Sequence, residues 1–133
     1  MHRIFGGLAV LVLLGCGGDS GSPPATTVEL RESLTVAADE YRFLPATLSS
    51  QETTVVRVDN IGALAHTWTV MAQPIAAELE LTKGLVLAAA EVEPGQSSTV
   101  DLEALAPGRY QIVCAIPGHF SAGMIGELII EAK

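Results

Sequence analysis

The sequence is poor in cysteine, in aromatic residues and in basic charge. Its 133 residues include two Cys, and Phe, Trp and Tyr together make up 5% of the chain. Seven Lys and Arg stand against fifteen Asp and Glu, which gives a formal net charge of −8 at pH 7. Because nucleic acids bind through basic surfaces, this balance excludes them as expected partners. The acidic charge favours solubility and attraction to a basic partner protein.

The first fifteen residues are typical of an export signal. Arg3 precedes an apolar run over residues 4–14, which is too short to cross a bilayer as a permanent helix. We therefore interpret residues 1–15 as a signal peptide. Residues 13–16, Leu-Leu-Gly-Cys, resemble a bacterial lipobox, which predicts that Cys16 is acylated and anchors the chain to a membrane outside the cytoplasm, in the periplasm or at the cell surface. The alternative is an ordinary signal peptide with Cys16 as a bystander.

A tether is predicted between this signal and a single folded domain. Residues 16–27 are rich in Gly, Ser, Pro and Thr and show no apolar period, as flexible linkers do. Residues 28–133 are long enough for one domain with a hydrophobic core and too short for two. With Cys16 acylated, Cys114 is a single thiol in an oxidising compartment, so it needs an explanation other than a disulfide.

The domain has the pattern of an all-β protein. Short segments that are rich in β-branched residues, or that alternate in polarity, are separated by turn residues, and no internal repeat is present. The segments that predict strands are residues 34–37, 54–58, 67–71, 99–102, 110–114 and 127–131. Many short strands at this spacing predict a β-sandwich or barrel. Residues 75–87 fit both a short helix and an irregular crossing between sheets.

Most of the candidate metal ligands lie in one short segment. Cys114, His119 and Met124 stand at C-x4-H-x4-M spacing, and His66 is the one other histidine left once residues 1–15 are removed. Two imidazoles, a thiolate and a weak axial thioether are the ligand set of electron-transfer copper, because Cys and Met favour Cu(I) while imidazole also suits Cu(II). Zinc accepts two His and one Cys, but thioether is a poor zinc ligand. The set therefore predicts one copper ion.

These residues lie in a segment that resembles the copper loop of the cupredoxins, the blue-copper family that includes plastocyanin, azurin and auracyanin. The likeness rests on residues 108–128 and, upstream, on residues 41–45, residues 56–60 and His66. It implies a cupredoxin-like Greek-key β-sandwich or barrel of about seven to eight strands. It also implies that His66 and His119 bind copper through Nδ1, Cys114 through its sulfur and Met124 axially.

The resemblance also implies tuning of the sulfur by nearby amides. The amides of Thr67 and Ile116 are the candidate hydrogen-bond donors to the Cys114 sulfur. Met71 is the rival of the predicted axial ligand, but its odd offset from His66 would place it on the opposite face of a strand.

The other residues near the ligands are expected to be structural or to form the surface. Trp68 should share a strand face with His66 and pack in the core. An apolar collar around an exposed edge of His119 would suit brief encounters with a partner. Its expected members are Leu64, Pro117, Phe120 and Ala122. A solvated acidic surface is expected from the glutamates, namely Glu78, Glu80, Glu91, Glu93 and Glu103.

The predicted function is one-electron transfer by a monomeric, membrane-tethered type 1 copper protein. The resemblance implies redox partners such as a c-type cytochrome or a terminal oxidase. Two alternatives stay open: copper delivery or storage with the same ligands, and a metal-free sandwich for adhesion or assembly. An enzyme is not expected, since the sequence has no His-x-His pair, no second Cys in the loop, no Ser, His and Asp set and no phosphate-binding glycine loop.

Overall fold

The computed structural model describes residues 33–51 and 55–132, which form nine strands in two mixed sheets. The strands are β1 (Ser33–Asp39), β2 (Arg42–Leu44), β3 (Thr47–Gln51), β4 (Val55–Asn60), β5 (His66–Met71), β6 (Val86–Val92), β7 (Ser97–Asp101), β8 (Gly108–Val113) and β9 (Ile125–Glu131). The all-β prediction is confirmed, with one strand more than the expected seven to eight. The predicted signal peptide, the tether and Cys16 lie outside the described residues.

The two sheets are built from sequence-distant strands. One sheet has the order β2-β1-β4-β7 and the other has the order β3-β9-β8-β5-β6. Strands β1 and β4 pair in parallel, as do β3 and β9, and the remaining pairs are antiparallel. Strand β9 thereby lies between a strand from the first part of the chain and the strand that leads to Cys114. No helix in the described ranges is long and apolar enough to cross a membrane.

Alternation within the strands builds the core between the sheets. In β4, Val56 and Val58 are buried while Arg57 between them is exposed, and apolar burial of this kind is the main stabilising term of the fold. Trp68 packs in the same cluster, as expected. Strand β5 is buried on both faces, and Met71 belongs to a second cluster with Val113 and Phe120.

The second cluster explains the stretch that was ambiguous in sequence. Residues 75–87 are neither a helix nor a plain strand. They contain two single 3-10 turns, Glu78–Glu80 and Lys83–Leu85, before β6 begins at Val86. Ile75 is buried in the second cluster, and the side-chain amide of Gln111 holds it by accepting from its N–H at 2.8 Å and donating to its carbonyl at 3.1 Å. The crossing is therefore fixed against the outer face of the five-stranded sheet.

A polar bridge joins β4 to β7 on the outer face of the four-stranded sheet and predicts a pH effect. The Asp59 carboxylate accepts from the Ser97 hydroxyl at 2.5 Å and from Arg57 Nε at 2.6 Å. Chiefly the Ser97 hydroxyl, and next Arg57, hold the pKa of Asp59 below its ordinary value of 3.8. A lowered pKa in the folded state gives stability that is present above the ordinary value and is lost as the pH falls through the lowered one.

Asp59→Asn is therefore expected to be less stable than the wild type at neutral pH and to match it in strong acid. The measurement is urea unfolding of both proteins from about pH 7 to about pH 2. Glu91→Gln, which changes an exposed carboxylate on β6, is the control with no such trend. A difference between Asp59→Asn and the wild type that is constant over this range would contradict the prediction.

Candidate metal centre

Three predicted ligands converge at one end of the sandwich. His66 is the first residue of β5, Cys114 follows the last residue of β8, and His119 lies in the loop between β8 and β9. The Nδ1 atoms of His66 and His119 are 3.3 Å apart, and the Cys114 sulfur is 3.4 Å from the His119 Nδ1. All three side chains are buried, and their potential ligand atoms lie within 4.8 Å of one another.

Backbone hydrogen bonds fold the loop so that its ligands face one point. The Cys114 amide donates to the Met124 carbonyl at 3.2 Å, and the Met124 amide donates to the His119 carbonyl at 3.0 Å. Gly118 and Gly123 have φ of 87° and 96°, which suit glycine because it carries no Cβ. The loop thus turns tightly on each side of His119.

Met124 lies in the same core cluster as Cys114, and Met71 does not. Met124 is fully buried in the main core cluster, which also contains Cys114. Met71 is buried in the second cluster, on the other face of β5. Met71 therefore lies on the opposite face of β5 from His66, as its odd offset in the sequence predicted.

Thr67 connects the two ligand segments through both of its polar groups. Its amide donates to the Cys114 sulfur at 3.3 Å, and its hydroxyl oxygen accepts from the Ala115 amide at 2.6 Å. One of the two predicted donors to the sulfur is thereby in place. In the described part of the chain, the Ile116 amide makes no bond to this sulfur, while the Ile116 carbonyl accepts from the His119 amide at 3.0 Å.

Asn60 ties together two loops at the same end of the sandwich. Its side-chain amide donates to the carbonyls of Leu64, at 2.7 Å, and Val92, at 2.8 Å, and its side-chain oxygen accepts from the Gly62 amide at 2.9 Å. The chain that leads to His66 and the end of β6 are thereby held by one buried residue. This arrangement fixes the position of the chain segment that leads to His66.

Glu78 lies at the surface, as predicted, but its side chain is also bound to the ligand loop. Its carboxylate accepts from the Gly118 amide and from the Ser121 hydroxyl, both at 2.6 Å. The Ser121 hydroxyl first, and then the Gly118 amide, keep the pKa of Glu78 below its ordinary value. The 3-10 turn that carries Glu78 therefore clamps the residues on both sides of His119. No sequence pattern links residue 78 to this loop, which explains why the contact was missed.

The environment of His66 favours the neutral, metal-binding form of its ring. Burial, and next the charge of His119, lower the pKa of His66, and neutral imidazole is the form that binds metals. The Nε2 atom of His66 is buried and has no hydrogen-bond partner within the described ranges. Packing, rather than the usual hydrogen bond to the remote nitrogen, thus orients this ring.

The surface around His119 matches the predicted collar only in part. His119 is 6% exposed, so its expected open edge is nearly closed. Phe120 is buried in the second cluster and is not available to a partner, because it fills the space beneath the crossing. Leu64, Pro117 and Ala122 are exposed, as predicted. The sequence analysis missed Tyr41, whose half-exposed ring meets the His119 ring edge-on, with the ring centroids 5.3 Å apart.

The three converging side chains fit a single copper ion. For zinc, an ion of similar size, bonds to nitrogen and sulfur are about 2.0–2.3 Å long, so donor atoms around one such ion at tetrahedral angles lie about 3.3–3.8 Å apart. The observed separations of 3.3 and 3.4 Å have this size. Two imidazole nitrogens and a thiolate form the trigonal donor set of blue-copper sites, and Met124 stays the predicted weak fourth donor.

Fold and ligand cluster together define a cupredoxin that binds copper. Residues 30–131 match the family model described as copper binding proteins of the plastocyanin/azurin family, and the chain belongs to that family. The copper prediction is thereby confirmed.

Relatives and solved structures agree with this assignment. The chain is 31% identical over 129 residues to auracyanin-B of Chloroflexus aurantiacus, with 80% of this chain covered and 53%, about half, of that protein. It is 29% identical over 120 residues to the copper-resistant cuproprotein CopI of Rubrivivax gelatinosus, with 84% and 73% covered. A reduced auracyanin from Roseiflexus castenholzii shares the fold, with a TM-score of 0.65 and 20% identity over 74% of this chain and 95% of that one.

Proposed function

We propose that this protein is a mononuclear type 1 copper electron carrier in which His66, Cys114, His119 and Met124 hold the metal. The observation that carries the proposal is the meeting of two imidazole nitrogens and one thiol sulfur in a buried cluster. Copper bound there would supply a one-electron couple between Cu(I) and Cu(II). The protein residues hold the donor atoms close together and keep water away.

A rigid ligand cage supports this function. An electron carrier works fastest when its ligands move little between oxidation states. Thr67 connects both ligand segments, Asn60 holds the chain before His66, and Glu78 clamps the loop around His119. All three restrict the ligands from outside the first coordination shell, which is how proteins tune metal sites. An electron carrier needs no substrate pocket, and we propose no enzymatic activity.

We propose further that the protein works outside the cytoplasm, held to a membrane by acylated Cys16 as a monomer. The signal-like residues 1–15, the lipobox-like residues 13–16 and the tether-like residues 16–27 support this placement. The redox partners would be proteins such as a c-type cytochrome or a terminal oxidase. The net charge of −8 favours a partner with a basic docking face.

Copper delivery or storage is the second candidate function. It is favoured by the likeness to a relative that is named a copper-resistant cuproprotein. The same four residues would then hold copper in exchangeable form. The rigid cage around the ligands favours the electron carrier, since delivery requires a site that opens.

Copper loading separates the two functions. The protein is loaded with Cu(II), and its visible absorption, its EPR spectrum and its loss of copper to a mild chelator are recorded. An electron carrier gives an intense blue band and holds its copper through the chelator challenge. Rapid loss of copper without a strong blue band would favour delivery, and an unfolding temperature that copper does not raise would favour a metal-free role.

Met124→Leu is expected to keep the blue colour and to raise the reduction potential. Leucine conserves the volume of the buried side chain, so the stability should change by less than about 1.5 kcal/mol. The potential rises because Cu(II) loses a weak donor. Voltammetry of this variant and of Met71→Leu, which removes a buried thioether in the second cluster, gives the measurement and its control. An unchanged potential in Met124→Leu would argue that Met124 is not the axial ligand.

A further inference from the structure

Tyr41 occupies a backbone conformation that its side chain makes costly. Strands β1 and β2 form a tight hairpin in which Asp39 pairs with Arg42, so Glu40 and Tyr41 are the two residues of the turn. Tyr41 has a φ of 61°, the one positive value at a non-glycine residue in the described ranges. Glycine or asparagine usually takes such a turn position, because a bulky side chain clashes with its own backbone there.

Several polar contacts hold this turn in place. The Asp39 carboxylate accepts from the Glu40 amide at 2.9 Å and pairs with Arg42 at 2.5 Å. The Glu40 carboxylate accepts from the amides of Ala63 and Leu64, in the chain that leads to His66. A strained residue persists only where its surroundings impose the conformation, and such residues cluster at functional sites. Tyr41 is such a residue, because these contacts hold the turn that carries it.

The strained conformation places an aromatic ring against a predicted copper ligand. The rings of Tyr41 and His119 meet at an interplanar angle of 81°, with their centroids 5.3 Å apart, which is the edge-to-face geometry of a favourable aromatic pair. Tyr41 is 45% exposed, whereas His119 is 6% exposed. The tyrosine therefore has one side on the ligand and the other side in solvent.

We infer that Tyr41 is a positioning residue that shields His119, so that water and redox partners meet the tyrosine ring before they meet the ligand. This inference rests on the electron-carrier function proposed above. Tyr41 is neither oxidised nor reduced: one electron passes between the copper site and the partner, and no proton moves. A shield of this kind lowers the polarity around the site, which disfavours the more highly charged Cu(II) form and raises the reduction potential.

Two substitutions distinguish the effect of the Tyr41 ring from the effect of the turn conformation. Tyr41→Asn removes the ring and places in the turn a residue that tolerates positive φ, whereas Tyr41→Phe keeps the ring. Leu44→Ala removes another half-exposed apolar side chain from the same hairpin and is the matched control. All variants are made in the full chain.

The copper-loaded proteins test the shield directly. We expect a lower reduction potential in Tyr41→Asn and a several-fold faster electron self-exchange between its Cu(I) and Cu(II) copies, measured by NMR line broadening. In self-exchange one copy is oxidised as the other is reduced, so the rate does not depend on the potential. Tyr41→Phe and Leu44→Ala should match the wild type in both measurements. Slower exchange or an unchanged potential in Tyr41→Asn would overturn the inference.

The metal-free proteins give an independent reading. The NMR signals of the His119 ring should carry a ring-current shift that Tyr41→Phe retains and Tyr41→Asn loses, and the melting temperature of Tyr41→Asn should not fall below that of the wild type. A clear fall in its melting temperature, with the His119 signals unmoved, would mean that Tyr41 only packs and would overturn the inference. A wild-type protein without a blue band would refute the proposed function instead, while these metal-free measurements would still judge the role of Tyr41.

Discussion

Replacing Cys114 with Ser is expected to abolish the intense visible band of the Cu(II) protein. The band of a blue-copper site arises from the bond between copper and the cysteine thiolate, and a serine hydroxyl is neither a soft donor nor ionised at neutral pH. Cys114 is fully buried and is the one cysteine in the described ranges, so no neighbouring thiol can replace it there. Visible absorption and EPR of the loaded variant provide the measurement.

A matched control separates this loss of colour from general damage to the core. Met71→Leu alters another buried sulfur on the opposite face of β5 and should leave the band intact. Circular dichroism should show that Cys114→Ser keeps its sheet content. A folded Cys114→Ser protein that stays intensely blue would refute the assignment of Cys114 as a copper ligand.

Asn60→Ala is expected to cause the largest loss of stability among the substitutions considered. Alanine leaves two carbonyls and one amide without their partners, those of Leu64, Val92 and Gly62. A polar group that is buried without a partner costs about 1–3 kcal/mol, and since the bond to Val92 is buried while the other two are part-buried, the free energy of unfolding should fall by about 2–3 kcal/mol. This is a large share of the roughly 5–15 kcal/mol that stabilise a typical domain.

Urea unfolding of the metal-free protein measures the effect of Asn60→Ala without a contribution from copper. Ile61→Ala is the control, because Ile61 is the next residue and is 62% exposed. It should change the stability by no more than about 0.5 kcal/mol. A loss below about 1 kcal/mol in Asn60→Ala would mean that the two loops hold their positions without this side chain.

The sequence predicted a copper site because the chemistry of the candidate ligands is rare and local. Cys114, His119 and Met124 lie within eleven residues, and few roles other than copper binding explain a thiol, an imidazole and a thioether at that spacing. His66 was added by elimination and by resemblance, and the structure brings it to 3.3 Å from His119. Strands β4 and β5 were also predicted, since both are rich in β-branched residues.

Other features depend on contacts that no local pattern encodes. Strand β3 has a weak apolar pattern and owes its place to parallel pairing with β9, which joins Ser49 to Ile129. Glu78 reaches the ligand loop across forty residues of sequence. Tyr41 takes a turn position that glycine or asparagine usually occupies, and its ring contacts His119. Tertiary contacts decided each of these features, so they could not be predicted from the sequence around them.

The position of β9 has a consequence for when the protein can acquire its metal. The ligand loop is closed by β8 on one side and β9 on the other, and β9 docks against β3 through pairs about eighty residues apart in sequence, such as Ser49 with Glu131. Contacts this distant form slowly, because a long loop must close before they contribute. Pairing of β8 with β5 brings Cys114 beside the strand that begins at His66, but the far side of the ligand loop is fixed only once the strand that ends at Glu131 has docked. We therefore expect the complete copper site to form late in folding, when β9 joins the sheet.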